Sequence, residues 1–417
     1  MRIEQPEGAA LDPLAGRRIL VGISGSIAAV KLPLVVSALA KRGAQVRCVV
    51  TPSAAQLVSP VALASLSRER CYLDADQWCH TAPRPLHVEL AEWAELVLLA
   101  PLSATTLGRW VHGLGDTLLA STLLATEAPV LAAAAMNTAM WGAPAVAANW
   151  QQLQRYERVL PLGPAEGLLA CDRQGSGRMA DPELLVLALE SLASWGWQRD
   201  WQGRRLLVSA GPTREWFDPA RCISNPSTGR MGVLLAQAAR LRGAEVDLVH
   251  GALQLDPSWL EGLNLHPIDT GAQLQRALEQ LQPQADAIAM AAAVADHRPA
   301  RTLSYKPTKA ELDAAMCGPW EPVPDLLVEL VSRRPTGQRI LGFAAHSGDV
   351  LPQAQAKFAR KGCDLLFANP IDQPDAGFGS STNQGWLLGP GDAVERLEPM
   401  GKLALAHRLI TALGAAL

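Results

Sequence analysis

The sequence predicts an α/β protein of two doubly wound, Rossmann-like domains, and three observations carry that prediction. The segment "RRILVGISGSIAAVKLPLVVSALAKRGAQVRCVVTPSA", from Arg17, passes from an apolar strand through a Gly/Ser turn and an amphipathic helix into a second apolar strand, the opening of a parallel sheet. Near residue 205 the plan restarts as "RRLLVSAGPTREWFDPARCISNPSTGRMGVLLAQAARLRGAEVDLVHG", and even the helix ends agree, "KRGAQV" against "LRGAEV". A chain of 417 residues also suits two domains of about 200 residues each.

Further buried strands follow in the first half at "AELVLLAP" and "APVLAAAAM", and in the second at "ADAIAMAAA", "RILGFAA" and "CDLLFAN". A helix running from about Pro182 closes the first half, and the boundary is expected in "SWGWQRDWQG", giving domains 1–193 and 194–417. Each domain should bind its ligand at the C-terminal ends of its strands.

With 37 basic and 40 acidic residues, nothing draws the whole chain toward nucleic acid or an anionic membrane, so an anionic substrate needs a local site. The longest apolar stretches fall short of the roughly 20 residues of a bilayer span, and the first 17 residues carry no apolar signal core; a cytoplasmic protein is expected. Seven cysteines, at 48, 71, 79, 171, 222, 317 and 363, follow no regular framework, as reduced intracellular thiols do. Cys71, Cys79, His80 and His87 depart from the paired spacing of structural zinc, and no metal ligand is assigned.

In the first half, Ser24, Gly25 and Ser26 sit between strand and helix, where backbone N–H groups and hydroxyls make a place for a phosphate. Alone, such a turn is about as often a simple tight turn. A dinucleotide site would carry an acidic residue at the end of the second strand, but "VVTPSA" offers only Thr51 and Ser53, which favours a mononucleotide. "APLSATT" adds Ser103, Thr105 and Thr106 at a third strand end, and several hydroxyl loops on one sheet edge suit a flavin. "LLACDRQGSGRMA", 168–180, looks like a phosphate loop but lacks the surrounding strand-to-helix turn.

"GISGSIAAVK", "LHVELAEWAELVLLAPLSATT", "AAMNTAMW" and "ACDRQGSGRM" resemble, in that order, the motifs of the flavin-dependent cysteine decarboxylases, over about Arg18 to Asp181. The resemblance implies a flavodoxin-like domain holding FMN at Ser24, Gly25, Ser26, Thr51, Ser103 and Thr105. It also implies His87 as the catalytic histidine, Asn137 as the holder of the substrate carboxyl region, and Cys171 as a proton donor on a mobile Gly-rich flap. Taken singly, these three read as an ordinary surface histidine, a helix cap and an inert thiol. Carbon dioxide leaves a cysteinyl C-terminus only if the electrons left behind have a sink, which the thiol lacks and an oxidised flavin supplies. The implied route oxidises the thiol to a thioaldehyde, releases CO₂ to leave an enethiolate, and then returns a hydride and a proton, with His87 assisting the first proton removal.

In the second half about 18 residues separate the strand ending near Ala210 from the helix beginning at "STGRMG", a connection long enough to suggest function over a plain Ω-loop. "AGPTRE…DP.R.ISN.S.G.MG", "AAAVADHR", "PDLL", "GFAA" and "AKFARKGCDLLFAN" resemble the phosphopantothenate-cysteine ligase domain over about Gly203 to Leu413. Together the halves look like the bacterial bifunctional phosphopantothenoylcysteine decarboxylase/phosphopantothenate-cysteine ligase family of coenzyme A biosynthesis.

That resemblance implies that CTP, with Mg²⁺ held mainly through its phosphates, activates 4′-phosphopantothenate as an acyl-cytidylate, from which the L-cysteine amine displaces CMP. Asn225 would hold the acyl-cytidylate and Arg221 assist. Nucleotide contacts carry over to Met290, Ala291, Ala292, Asp296, Lys306, Pro324, Asp325, Leu326, Leu327, Phe343, Lys357 and Lys361; the last two lie four apart and so share a helix face. Departures from the pattern are "SYKPTK" with Thr308 for a lysine, His346 for a glutamate, Pro370 and Ser381 for acidic residues, "SGSIAAVK", and Ala135. The resemblance further implies a homo-oligomer of trimeric flavin domains and dimeric ligase domains, together a dodecamer. The alternatives are an FMN-binding cysteine decarboxylase or a regulatory flavoprotein with a noncatalytic nucleotide module; such a chain should lack the Asn225 loop and the Asp296/Lys306 pair, both present here. CTP against ATP stays open.

Overall fold

The computed structural model describes residues 12–78, 84–168, 174–373, 376–391 and 393–417, in two compact units that divide between Gln198 and Arg199. In the first, β1 (Arg18–Ile23), β2 (Gln45–Val50), β3 (Cys71–Leu73), β4 (Leu96–Leu102), β5 (Val130–Ala134) and β6 (Val159–Leu162) form one parallel sheet in the order β3-β2-β1-β4-β5-β6. Every residue of β4 is buried, because a central parallel strand covered by helices on both faces has no solvent side. The order reverses direction between β1 and β4, the point at which a doubly wound sheet places its ligand crevice. The helix expected near Ile27 begins as a tighter 3-10 turn, Ile27–Lys31, before the α-helix Leu32–Lys41.

Past this sheet, β7 (Ala165–Leu168) and β8 (Gln174–Arg178) pair as an antiparallel hairpin, the two described arms of the expected flap. The hairpin rests on the segment after β5: the Met136 N–H donates to the Gly177 carbonyl at 3.0 Å. Gly175, at φ +159°, packs so close that a Cβ there would stand 2.9 Å from Thr138 Oγ1.

The second unit repeats the topology. It contains β9 (Arg205–Ala210), β10 (Arg214–Asp218), β11 (Arg221–Ser224), β12 (Glu245–His250), β13 (Asn264–Pro267), β14 (Ala287–Met290), β15 (His297–Pro299), β16 (Trp320–Pro322), β17 (Arg339–His346), β18 (Leu365–Pro370), β19 (Thr382–Leu388) and β20 (Val394–Gly401). The main sheet runs β13-β12-β9-β14-β17-β18-β19-β20, parallel through β18 and antiparallel beyond it. Its reversal lies between β9 and β14. The long connection after β9 is not bare loop: β10 and β11 fold it into a hairpin. Helices Arg230–Leu241 and Lys402–Ala416 pack on each other, while Gly271–Leu281, Leu326–Arg333 and Val350–Lys361 form a separate packed series. In a doubly wound sheet the two sets cover opposite faces.

Candidate functional sites

At the crevice of the first sheet, Ser24 is fully buried. Its hydroxyl donates to the Pro101 carbonyl (2.7 Å) and accepts from the Ser103 N–H (2.8 Å), so it braces the β1 and β4 loops across the reversal. Ser103 and Thr51 each accept a backbone N–H at 3.3 Å, from Thr106 and Ala54, and cap the helices that follow them. Three of the expected flavin contacts thus hold the loops in shape. Ser26, which makes no capping bond, and the exposed Ser53 and Thr105 carry the remaining hydroxyls on this edge. Gly25 is dictated by space: a Cβ there would meet Ser53 Cβ at 2.6 Å.

His87 is the second residue of helix Leu86–Trp93, which returns from β3 to β4 and so starts on the same edge. Its Nδ1 is buried with no hydrogen-bond partner among the described residues. Such an atom costs about 1–3 kcal/mol unless a ligand or proton satisfies it. Asn137, three residues past the end of β5, accepts the Ala139 N–H through Oδ1 at 2.8 Å and stands beside Thr138, against which the hairpin packs. Cys171 lies outside the described residues, as do Cys79 and His80. The far arm of the hairpin is anchored by Asp181, which meets Arg178 at 3.0 Å and Lys31, in the first motif, at 2.6 Å. Burial alone would raise the Asp181 carboxyl, but Lys31 and Arg178 outweigh it and hold it below the usual carboxylate range.

At the C-terminal edge of the second sheet lies a cavity of about 620 Å³. Asn225, Met290, Ala291, Ala292, Asp296, Pro324 to Leu327, Phe343, Lys357 and Lys361 all line it, gathered from five separate stretches of chain. Arg221 and Lys306 do not line it: Arg221 pairs with the buried Asp218 at 3.2 Å, and Lys306 is exposed on the connection before helix Lys309–Met316. Arg230, Arg360, Asn369, Phe378, Asn383 and Lys402 line it without having been singled out as nucleotide contacts.

Asn225 Nδ2 donates to the carbonyls of Ala293 and Val294, both at 3.2 Å. Only an amide nitrogen can face two carbonyl oxygens, which fixes the orientation of the group and leaves Oδ1 as its free acceptor. Burial, together with Lys361 and Arg360, pushes the Lys357 ammonium below its usual range against the pull of Asp296 and Asp325. Lys361 also ion-pairs with Asp325. Burial and Lys357 lower the His346 imidazole below its usual range, at the position where the resemblance led to the expectation of a glutamate. Among the described residues no group of three His, Cys, Asp or Glu could hold a metal ion, and no helix is long and apolar enough to cross a membrane.

Two family profiles match, Flavoprotein over residues 8–194 and the DNA/pantothenate metabolism flavoprotein C-terminal domain over residues 201–416. The coenzyme A biosynthesis bifunctional protein CoaBC of Bacillus subtilis (strain 168) is 34% identical over 404 residues, 96% of this chain and 98% of that one. Its counterpart in Mycobacterium tuberculosis (strain ATCC 25618 / H37Rv) is 38% identical over 412 residues, 95% of this chain and 96% of that one. A solved PPC decarboxylase mutant complexed with pantothenoylaminoethenethiol is 33% identical, with a TM-score of 0.39, covering 42% of this chain and 96% of that one.

Proposed function

Since the chain belongs to the family of bifunctional coenzyme A biosynthesis proteins, we propose that it joins 4′-phosphopantothenate to L-cysteine with CTP and then decarboxylates the product to 4′-phosphopantetheine. The observation that carries the reading is the second cavity, where Asn225 and eleven of the twelve expected nucleotide contacts meet.

Carboxylates do not condense with amines at neutral pH, so the acid must first acquire a leaving group. Lys357, Arg360 and Lys361 project from one helix into the cavity and suit a triphosphate, whose Mg²⁺ arrives with the nucleotide. Asn225, its NH₂ spent on two carbonyls, offers Oδ1 to accept an N–H of the attacking cysteine amine and turn the amine's lone pair toward the acyl carbon. Arg221, held by Asp218, is a supporting residue of the loop.

In the first unit the crevice fits FMN: hydroxyl loops meet at one edge, no carboxylate ends β2, and the Gly25 turn lies against Ser53. Ser26, Thr105 and the backbone at Gly25 would hold the cofactor, with Ser24, Thr51 and Ser103 shaping the loops. FMN, when bound, supplies the two-electron oxidation and return that thiol decarboxylation needs. His87 takes the first proton through its ring, Asn137 holds the carboxyl end, and Cys171 delivers the last proton beneath the closed flap. A homo-oligomer with cofactor near subunit contacts is supported by apolar side chains left open beside the first motif, Ile27 at 55%, Val30 at 52% and Leu34 at 64% exposure. We place the enzyme in the cytoplasm.

Two measurements test this. Heat-released chromophore from the purified protein should be FMN, and pyrophosphate release should need 4′-phosphopantothenate and run faster with CTP than with ATP; a colourless protein, or release indifferent to the acid, counts against it. Gly25→Ala should drive the turn off Ser53 and lower FMN content at least about tenfold, equivalent to 1.4 kcal/mol, with CTP-dependent pyrophosphate release unchanged. Full FMN content in that variant would remove the Gly25 turn from the cofactor site.

A further inference from the structure

Among the cations that line the second cavity, Lys402 stands apart. It is 5% exposed, and its Nζ donates to one described acceptor, the Gly377 carbonyl at 2.9 Å. Its one charged neighbour of note is another cation, Arg230; burial and Arg230 together push the ammonium down to about 8. No carboxylate among the described residues pairs with either side chain, although burying an unpaired ammonium is costly.

The backbone explains how the two meet. Arg230 is the first residue of helix Arg230–Leu241 and Lys402 the first of helix Lys402–Ala416. These helices pack on each other over one face of the sheet. β20 runs parallel to β18, so Gly401 brings the second helix to the C-terminal edge where β9 delivers the first. Two helix N-termini and two cations therefore converge on one end of the cavity. Lys357, Arg360 and Lys361 come from a helix of the other face, and the charges that act on Lys357 are Lys361, Arg360, Asp296 and Asp325, with neither Arg230 nor Lys402 among them. Cations therefore reach the cavity from helices on both faces of the sheet.

We propose that Lys402, with Arg230, forms a second phosphate site in the ligase cavity, one that the lysines of helix Val350–Lys361 do not serve. This rests on the ligase reading, whose substrates bring two anionic groups: the triphosphate of CTP and the phosphate ester of 4′-phosphopantothenate. A buried ammonium beside a partly exposed guanidinium, with no carboxylate paired to either among the described residues, is complementary to a phosphate dianion, which satisfies the remaining Lys402 N–H bonds and neutralises both charges.

The test is tryptophan-fluorescence titration of the full-length protein with two ligand pairs, CTP against cytidine and 4′-phosphopantothenate against pantothenate. Lys402→Met keeps the stem and removes the charge; Arg230→Gln, at a half-exposed position, guards against a folding artefact. Both variants should weaken the phosphorylated member of the same pair at least tenfold and its unphosphorylated partner less than twofold, and the pair affected identifies the source of the phosphate. Equal losses within a pair would make Lys402 only a brace for the Gly377 segment and overturn the proposal, as would unchanged affinity for all four ligands. Wild-type protein that binds neither CTP nor 4′-phosphopantothenate overturns the ligase reading itself, and this proposal with it.

Discussion

Asn225→Asp is expected to stop the ligase between its two steps. The substitution removes both hydrogen bonds to Ala293 and Val294 and turns a carboxylate oxygen toward two carbonyls, so the loop loses its tie to the segment that follows β14. The lysines of helix Val350–Lys361 are untouched, so the nucleotide still binds and the acid is still activated. What is lost is the positioned acceptor for the incoming amine. Pyrophosphate should appear as a burst of about one equivalent per site, acyl-cytidylate should be recoverable by mass spectrometry, and amide formation should fall about 100-fold or more, the usual scale for a lost preorganised polar contact. Normal turnover would take Asn225 out of the chemistry, and loss of the pyrophosphate burst would move it to the first step.

Cys171→Ser is expected to have an equally large effect on the other reaction. Serine is close to cysteine in size, but its hydroxyl is a far poorer proton donor than a thiol, whose ordinary pKa of about 8.5 suits transfer near neutrality. In the proposed route proton removal and loss of CO₂ precede the step assigned to Cys171, so CO₂ should still be released while the oxidised enethiol accumulates in place of 4′-phosphopantetheine. Ligation, carried out by the other unit, should be unchanged. Undiminished 4′-phosphopantetheine formation would remove Cys171 from its role.

The parts of the fold visible beforehand are those whose strands are buried on both faces. β1, β4, β9, β14, β17 and β18 read as continuous apolar runs because helices cover them on two sides. The three-residue β3 and the polar edge strand β13, "NLHP", carry no such pattern. The β10–β11 hairpin escaped notice because its two short strands, "REWFD" and "RCIS", carry no regular apolar alternation within what looks like a loop. At the sites, motif order located the residues but not their partners. Ser24, expected as a ligand hydroxyl, also braces two loops, which local pattern could not show because Pro101 and Ser103 are 77 and 79 residues away in the chain. Lys402 sits in an amphipathic C-terminal helix where a lysine ordinarily marks a solvated face. Its burial follows from β20 and the packing of that helix on Arg230–Leu241, long-range facts that no local pattern carries.

The most direct measurement gives one purified polypeptide 4′-phosphopantothenate, L-cysteine, CTP and Mg²⁺, with no other enzyme, and quantifies every product. Two active sites on one chain predict 4′-phosphopantetheine, pyrophosphate and CO₂ in equal amounts. Accumulation of 4′-phosphopantothenoylcysteine without CO₂, or the absence of pyrophosphate altogether, would contradict the account.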